Sequence, residues 1–570
     1  MTDSDAPTPP LRDPLLLAAC TLGAVCAALA LVPTATFAEA FAHPQRVARL
    51  GGAIPEATVR GAGFFRAALA AGAVAIPALV WWLGRACRGG ETRGRRDPGA
   101  AAALPWWPMS MTGSLQLLNW IVLGAMLRLV LASQSLWYDE ISALVSFALE
   151  GPAVAFGSYA VPTNHVPMTL AVWLSTTALG SVHEVAVRLP AIVAGVATIP
   201  AAHALGVALR DARLGNALAL VAAVAPLAVL ESAEARGYAF VILGATVAAA
   251  ALARAERTGS RGDYALFAVA AAFAAWAHPV AILLPFAAGV VGLVRDRRLV
   301  VAALLAGVIT AVLLSPLLGD VLATRGDYAR TDAAKPSVFS REGYETLAGL
   351  ALSWSRWFLS PAPILSALFL AGAAIALRAR DHGARRARRA LAPFALAFAL
   401  ALVLPAVLGS WTYARFTLFA LPVGLVAVAL AVDALPKRAW SALVLVLLFV
   451  DSFASLAFYR TKQPIREAVE IVAALRAPDD AIATIGLPDN AVGFYALRAG
   501  FDAVPTGFLG EDLDAVLARE RPAFVVVLYP ERLAPDTFAV LDSGFDRTHR
   551  LDGWADWGHG AVEVWRRVGR

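Results

Sequence analysis

Five short stretches combine acidic, basic, imidazole and aromatic side chains in a chain that is otherwise strongly apolar. They are SLWYDE at 135–140, TNHVP at 163–167, ESAEARGY at 231–238, AWAHP at 275–279 and WTYARF at 411–416. Charged groups beside long apolar runs are costly to keep, so each stretch is a candidate for function. Together they supply groups that can take a proton and hold an anion.

The chemistry that these groups share is the transfer of a group from a phosphate-bearing lipid. Asp139 can accept the proton of an attacking hydroxyl, as a general base must. Arg236 and Arg415 carry planar guanidinium groups that match a phosphate bidentately and stabilise its negative charge as it departs. Tyr138 and Tyr238 can stack on the face of a sugar.

Each of these groups also has a simpler interpretation. Aromatic residues at the ends of membrane spans are usually interfacial, and Arg415 can be a snorkelling side chain. His278 next to Pro279 can cap a helix break, and Asp139 with Glu140 can be an acidic pair that the dipole favours at a helix N-terminus. The functional interpretation rests on the recurrence of the acidic pair, NHVP and ARGY on one side of the membrane in a fixed order.

The composition indicates that lipid is the solvent of most of the chain. Of 570 residues, 59% are hydrophobic and 16% are charged, against about 45–50% and about 25% in soluble domains. The mean hydropathy is +0.66. The net charge of +6 does not indicate a nucleic-acid partner, because the arginines cluster between apolar runs as they do in cytoplasmic loops. We therefore predict a polytopic α-helical membrane protein.

About thirteen apolar runs approach the length of roughly 20 residues that a spanning helix needs. They lie at 14–36, 61–83, 114–133, 186–208, 214–231, 238–254, 263–278, 280–295, 299–318, 361–378, 390–409, 416–433 and 439–457. Basic residues follow every even-numbered run, so the N-terminus is predicted inside and the C-terminus outside. On this topology all five polar stretches open onto one outer cavity.

The apolar stretch 166–181 tests this topology. If it crossed the bilayer, every later loop would be inverted and the arginine clusters would lie outside. We therefore predict a helix that lies along the outer surface or dips into it.

The tail has the pattern of a small α/β domain. AIATIG at 481–486 and FVVVLYP at 524–530 are typical of buried strands. Helical stretches surround them near 464–476, 488–499 and 510–519. Strands that alternate with helices predict an α/β domain, and charge parity places it outside the membrane.

Three consecutive regions follow from these patterns. Residues 1–113 are predicted as a two-helix membrane extension with a basic cytoplasmic loop. Residues 114–457 are predicted as the transmembrane catalytic domain, with an outer loop at 135–185. Residues 458–570 are predicted as the extracytoplasmic α/β domain.

The ordered set SLWYDE, NHVPM, EVAVRLPAIVAG and ESAEARGYAF, followed by YARFTLFALPV and KQPIREAVEIVAA, resembles the GT-C polytopic glycosyltransferases. The likeness is to the bacterial family 39-like group, related to protein O-mannosyltransferases and to the aminoarabinose transferases that modify lipid A. It runs from about residue 114 to 475. The resemblance implies a polyprenyl-phosphate sugar donor, used at the extracytoplasmic face with inversion at the anomeric centre.

Residue by residue, the resemblance makes Asp139 the catalytic base and Glu140 its acidic neighbour. Some GT-C enzymes use a divalent metal, but one acidic pair and scattered histidines do not establish a metal site. The predicted site comprises Asp139 and Glu140 as catalytic residues, Arg236, Tyr238, Arg415, His278 and Tyr138 for the donor phosphate and sugar, and His165, Asn164 and Glu234 for the acceptor or donor pocket.

The expected function is a membrane glycosyltransferase that moves a sugar from polyprenyl phosphate to a hydroxyl of a cell-envelope glycan, lipid or protein. The expected location is the inner (plasma) membrane. A transporter or flippase of lipid-linked sugars is the first alternative, favoured by inverted repeats and by ionisable groups at the bilayer midplane. No repeat relates the two halves, and the polar groups lie at span ends. A non-catalytic envelope-assembly subunit is the second alternative.

Overall fold

The computed structural model describes most of the chain, in two compact units. The described residues are 13–88, 106–108, 110–331, 363–408, 414–435, 442, 446–447, 450, 461–486, 490–505, 513–553, 555 and 560–569. The first unit consists of Met1–Val130, Pro152–Ala171 and Pro190–Ser455, and the second of Leu131–Gly151, Val172–Leu189 and Leu456–Arg570. Parts of the predicted outer loop thus group with the tail, while the three consecutive regions stay a prediction.

Helices make up most of the described residues from 13 to 435. In chain order they are α1 Pro14–Ala30, α2 Thr34–Phe41, α3 Pro44–Arg49, α4 Glu56–Arg88, α5 Met111–Ala132, α6 Tyr138–Ala143, α7 Pro152–Gly157, α8 Val166–Leu179, α9 Glu184–Leu209, α10 Ala212–Val224, α11 Pro226–Glu231, α12 Tyr238–Thr258, α13 Arg261–Ala277, α14 Leu283–Arg295, α15 Arg297–Leu314, α16 Leu318–Thr331, α17 Pro363–Arg378, α18 His382–Leu408 and α19 Leu421–Asp433. A π-helical turn, Leu144–Ala148, continues α6, and 3-10 turns lie at Pro279–Ile282, Ser315–Leu317 and Ala414–Ala420.

Seven described helices are long and apolar enough to cross a membrane by length and composition, or eight if one bent pair is a single span. The seven are Glu56–Arg88, Met111–Ala132, Glu184–Leu209, Tyr238–Thr258, Arg297–Thr324, His382–Leu404 and Arg415–Asp433. The predicted class, an α-helical membrane protein with a small C-terminal sheet, is confirmed at this level. The total of about thirteen spans stays a prediction, and most of the run at 439–457 lies outside the described residues.

Several predicted spans are broken where the local sequence disfavours a continuous helix. The run at 14–36 forms α1 and α2, which meet at 92° next to Pro33. The run at 214–231 divides at Ala225, whose extended backbone (ψ 120°) precedes Pro226. Proline disfavours the helical conformation in the residue before it, so both breaks have a local cause. The stretch at 166–181 forms the 14-residue helix α8, and its place at the outer surface stays a prediction.

The second unit contains a five-stranded mixed sheet. Its elements after α19 are α20 Ile465–Leu475, β1 Ile482–Ile485, α21 Asn490–Arg498, β2 Val504–Pro505, α22 Leu513–Glu520, β3 Phe524–Leu528, α23 Pro535–Asp542, β4 Phe545–Leu551 and β5 Val562–Arg567. The strand order is β2-β1-β3-β5-β4. Strand β1 pairs in parallel with β2 and β3, whereas β5 pairs antiparallel with β3 and β4.

The central strands of this sheet are covered on both faces. Every residue of β1 and β3 is buried, which explains their continuous apolar sequences. The edge strand β4 is mostly exposed and polar. The two strands and three helices predicted for the tail are confirmed, and β2, β4 and β5 are additions.

Candidate active site

The acidic pair lies in the first turn of α6 in the second unit. Trp137, the N-cap residue before α6, has an extended backbone. Negative charge in a first helical turn is favoured by the exposed backbone N–H groups. Asp139 is half-buried, whereas Glu140 is only 1% exposed. The two neighbouring carboxylates therefore have different environments.

Glu140 forms a buried ion pair with Arg188 of α9, which sequence reasoning did not select. Nε and Nη2 of Arg188 donate to the two carboxylate oxygens at 2.9 Å and 2.6 Å. Glu140 also accepts the backbone N–H of Trp137 at 3.2 Å. Nη1 of Arg188 donates to the carbonyls of Ala132 and Gln134, and Nη2 to that of Ser135. This pair fixes the backbone that leads into the acidic motif.

Residues of the tail make further contacts with the 136–138 backbone and the Trp137 ring, all within the second unit. The hydroxyl of Tyr495 accepts the N–H of Leu136 at 2.7 Å, and Gln463 Oε1 accepts the N–H of Tyr138 at 3.0 Å. Nζ of Lys462 lies 4.3 Å from the centre of the Trp137 ring. The carboxylate of Glu184 accepts a hydrogen bond from the Tyr495 hydroxyl at 3.0 Å. Burial first, and then the charge of Glu184, raise the pKa of Tyr495. Tyr495 therefore stays a neutral hydrogen-bonding group.

The ring of Tyr138 packs edge-on against Tyr529, with ring centres 6.5 Å apart. Tyr529 is buried and has a left-handed backbone, with φ 52°. The predicted sugar-stacking residue is thus held by the tail.

Histidines and aromatics from four of the polar stretches meet in the first unit. The ring centres of His165 and Tyr238 are 5.3 Å apart, those of His165 and His278 5.3 Å, and those of Tyr238 and His278 5.6 Å. Phe416, next to Arg415, lies 4.7 Å from His278. We call His165, Tyr238 and His278 the histidine cluster. All three residues are under 9% exposed.

The hydrogen bonds of the two histidines assign their tautomers. Nδ1 of His165 lies 2.9 Å from the carbonyl of Ala277, which can only accept, so Nδ1 carries the proton. Nδ1 of His278 accepts the N–H of Val280 at 3.4 Å, so the proton of His278 is on Nε2. In the neutral state His165 therefore offers an acceptor at Nε2, and His278 offers a donor.

Two arginines give the histidine cluster a positive environment. Burial first, then the charges of Arg236 and Arg415, hold the pKa of His165 well below its usual range. Arg236 is 4% exposed and donates from Nη1 to the carbonyl of Thr163 at 2.9 Å. Such a site keeps its imidazole neutral and favours an anion.

A glycine permits the three backbone segments of the cluster to approach. A Cβ added at Gly237 would lie 2.4 Å from the carbonyl oxygen of Ala277 and 2.6 Å from Nδ1 of His165. Real Cβ atoms do not approach so closely, so no other residue fits without displacement. The packing of the cluster thus explains why a glycine follows Arg236 in the RGY sequence.

Two predicted pocket residues have backbone contacts that the sequence did not reveal. Nδ2 of Asn164 donates to the carbonyls of Ala155 and Ser158 at 2.9 Å and 2.8 Å. These bonds fasten His165 to the end of α7. Glu234 is 4% exposed, and its carbonyl accepts the N–H of Arg236 at 2.8 Å.

A second arginine missed in the sequence, Arg128 of α5, stabilises the broken helix before ESAEARGY. It is 0% exposed and donates from Nε to Ser232 Oγ at 2.7 Å. Its other nitrogens donate to carbonyls on both sides of the break, at Ala223 (3.2 Å) and Ala228 (3.4 Å). A buried charge satisfied by backbone carbonyls fixes the path into the 231–238 loop. In the sequence, Arg128 and Arg188 each stand alone inside an apolar run, and this isolation is the feature that could have marked them as structurally important.

Among the described residues, no group of three or more His, Cys, Asp or Glu side chains could hold a metal ion.

Comparison with solved structures gives the architecture a precedent. The crystal structure of ArnT from Cupriavidus metallidurans bound to undecaprenyl phosphate matches with a TM-score of 0.53 and 15% identity, covering 81% of this chain and 99% of that one. The apo structure of the same protein matches with a TM-score of 0.51 and 15% identity, over 79% and 98%. The chain has a GT-C fold.

A third structure, of the Archaeoglobus fulgidus oligosaccharyltransferase AglB with an inhibitory peptide and a dolichol-phosphate, has a TM-score of 0.44 and 12% identity, over 76% of this chain and 71% of that one. No protein-family model matches the sequence, and no curated protein matches it significantly. The predicted resemblance to GT-C transferases is confirmed in the fold.

Proposed function

We propose that the chain is an inverting membrane glycosyltransferase with a polyprenyl-phosphate sugar donor and a hydroxyl acceptor of the cell envelope. The observation that carries the proposal is the histidine cluster. Four stretches selected for their chemistry meet there, around neutral imidazoles and beside two guanidinium groups, in a GT-C fold. The ArnT structure with the same fold contains undecaprenyl phosphate.

In the proposed reaction, Asp139 takes the proton of the acceptor hydroxyl. The acceptor oxygen forms a bond to the anomeric carbon, and the bond from that carbon to the phosphate oxygen breaks with its electron pair. The donor therefore leaves as polyprenyl phosphate. Arg236 and Arg415 stabilise the charge that develops on the departing oxygen, which is the effect expected of fixed cationic donors at a leaving group.

The contrast between the two acids supports Asp139 as the base. The carboxylate of Glu140 is buried and binds Arg188 and a backbone N–H. Asp139 is the more exposed of the two. We assign Glu140 to positioning of the motif, which refines its predicted catalytic role.

The proposed location is the inner membrane, with the N-terminus inside and the tail outside. Contacts in the first unit support this topology, because they join loops that parity places on the same side. Arg261 binds Asp13, both in segments predicted inside, and Arg213, in another inner loop, binds Asp433 at the inner end of the predicted run 416–433 at 2.7 Å. His165 contacts Ala277, both predicted outside.

The test is incubation of purified protein with a panel of polyprenyl-phosphate sugars and candidate acceptors, with mass spectrometry of the lipids and with and without a chelator. A transferase converts one donor to free polyprenyl phosphate and glycosylates an acceptor. A flippase moves the lipid between leaflets unchanged, and an assembly subunit does neither. Intact donor across the whole panel would overturn the proposal.

A further inference from the structure

Helices α2, α3 and α4 are linked to the loop that leads to His165 through Asp320 and helix α7. Nη1 of Arg46, in α3, donates to Oδ1 of Asp320, in α16, at 2.7 Å. The other oxygen of Asp320 accepts the backbone N–H of Tyr159 at 2.8 Å. The side chain of Asp320 is 2% exposed and that of Arg46 is 27% exposed. One buried carboxylate therefore joins α3, α16 and the segment after α7.

An aromatic contact runs parallel to this ion pair. Phe156 of α7 lies 5.9 Å from Phe41 of α2 and 5.5 Å from Phe65 of α4, measured between ring centres. On its other side it lies 6.3 Å from Trp276, two residues before His278. Phe156 thus connects the N-terminal helices to a segment of the histidine cluster.

The fit between α2 and α7 depends on a missing side chain. A Cβ at Gly157 would lie 2.1 Å from Cγ of the Phe41 ring. Phe41 itself is 5% exposed. The ring therefore fills the space that Gly157 leaves, and it presses directly on the backbone of α7.

From α7 the connection to the site is short. Asn164 donates to the carbonyls of Ala155 and Ser158, and the next residue is His165. A shift of α7 consequently moves the backbone of His165 and its bond to Ala277. The bonds of Tyr159 and Asn164 bracket the loop at 158–164.

We propose that α1–α4 form a positioning element that holds the 158–165 loop, and with it His165, in its working place. The Arg46–Asp320 pair and the Phe41–Phe156 contact are its two attachments. The expected effect on turnover rests on the proposed transferase function. The expected stabilisation of the 158–165 loop does not depend on it. It gives a role to the two predicted spans that precede the GT-C resemblance.

The test compares full-length Arg46→Ala, Arg46→Lys and Asp320→Asn with Arg60→Ala. Arg60 forms an exposed pair with Glu56 in the same extension at 2.7 Å and is the matched control. Hydrogen exchange of peptides covering 155–165 and 242–252 is measured with polyprenyl phosphate release per folded molecule. We expect Asp320→Asn and Arg46→Ala to speed exchange at 155–165 by about tenfold, because a charge-assisted bond is lost. Arg46→Lys should restore much of the protection, and Arg60→Ala should match wild type.

Turnover per folded molecule should fall in the same order as loop protection, with exchange at 242–252 unchanged. Uniform acceleration in both peptides, or unchanged exchange at 155–165 in Asp320→Asn, would overturn the positioning role. If wild-type protein releases no polyprenyl phosphate, the transferase proposal fails while the exchange data still decide this one. Full turnover despite a loosened loop would show that the loop's position does not matter for transfer, and would also overturn it.

Discussion

The buried pair of Glu140 and Arg188 gives the sharpest energetic prediction. Their side chains are 0% and 4% exposed, with an Nη2–Oε2 distance of 2.6 Å. Removing one partner of a buried pair leaves an uncompensated charge, at a cost of about 3–5 kcal/mol. Replacing both by apolar residues removes that unpaired charge, although the carbonyls of Ala132, Gln134 and Ser135 still lose the guanidinium. We therefore expect the double change, Glu140→Leu with Arg188→Leu, to destabilise the motif by clearly less than the sum of the two single changes.

Hydrogen exchange of peptides covering 136–143 in detergent measures this free energy locally. A loss of about 3–5 kcal/mol corresponds to exchange faster by about two to four orders of magnitude. The double-mutant cycle should give a coupling energy of about 2 kcal/mol or more. The control Arg519→Leu breaks an exposed 2.7 Å contact with Glu520 and should cost under about 1 kcal/mol. Single changes that add to within about 0.5 kcal/mol would refute the reasoning.

Further expectations concern the histidine cluster and the topology. Gly237→Ala should lower turnover by displacing His165, visible as faster exchange at 163–167, whereas unchanged turnover would show that the close approach is unimportant. Arg236→Lys should slow transfer more than it weakens donor binding, because the lysine loses the planar fork; equal losses would point to binding alone. The pKa of His165 is held well below its usual value of about 6.5, so its imidazole stays neutral at that pH. The rate–pH profile of the wild type should therefore show no step near pH 6.5, and a step that disappears in His165→Gln would contradict this. In a cysteine-free background, a cysteine that replaces His183 should react with an impermeant thiol reagent added outside the cell. A cysteine that replaces Arg385 should react only after permeabilisation. The opposite pattern would contradict the predicted topology.

The sequence predicted the helical membrane class, the two central strands and the members of the histidine cluster because each has a local signal. Long apolar runs report spans, and polar groups beside them report sites. Strand β4, FDRTHRL, carries no apolar pattern because it is an exposed edge. Its place depends on pairing with β5, which is a non-local property.

The remaining features depend on side-chain partners distant in sequence. The sequence predicts Glu140 as a catalytic neighbour of Asp139, and it does not reveal that the Glu140 carboxylate binds Arg188, 48 residues away. Asn164 is predicted in the pocket, and the sequence does not reveal that its amide nitrogen donates to the carbonyls of Ala155 and Ser158. Such assignments require knowledge of which backbone N–H and carbonyl groups lack a partner within secondary structure. The sequence alone does not contain this information.

The most direct test of the account is a single-turnover measurement on Asp139→Asn with the donor that wild-type protein uses. The variant keeps the shape of the side chain and removes its ability to take a proton, so transfer should fall by a factor of about 10² or more while donor affinity and stability stay close to wild type. Glu470→Gln, at an acid 66% exposed on α20, should behave as wild type. Near-normal release of polyprenyl phosphate by Asp139→Asn would contradict the central claim.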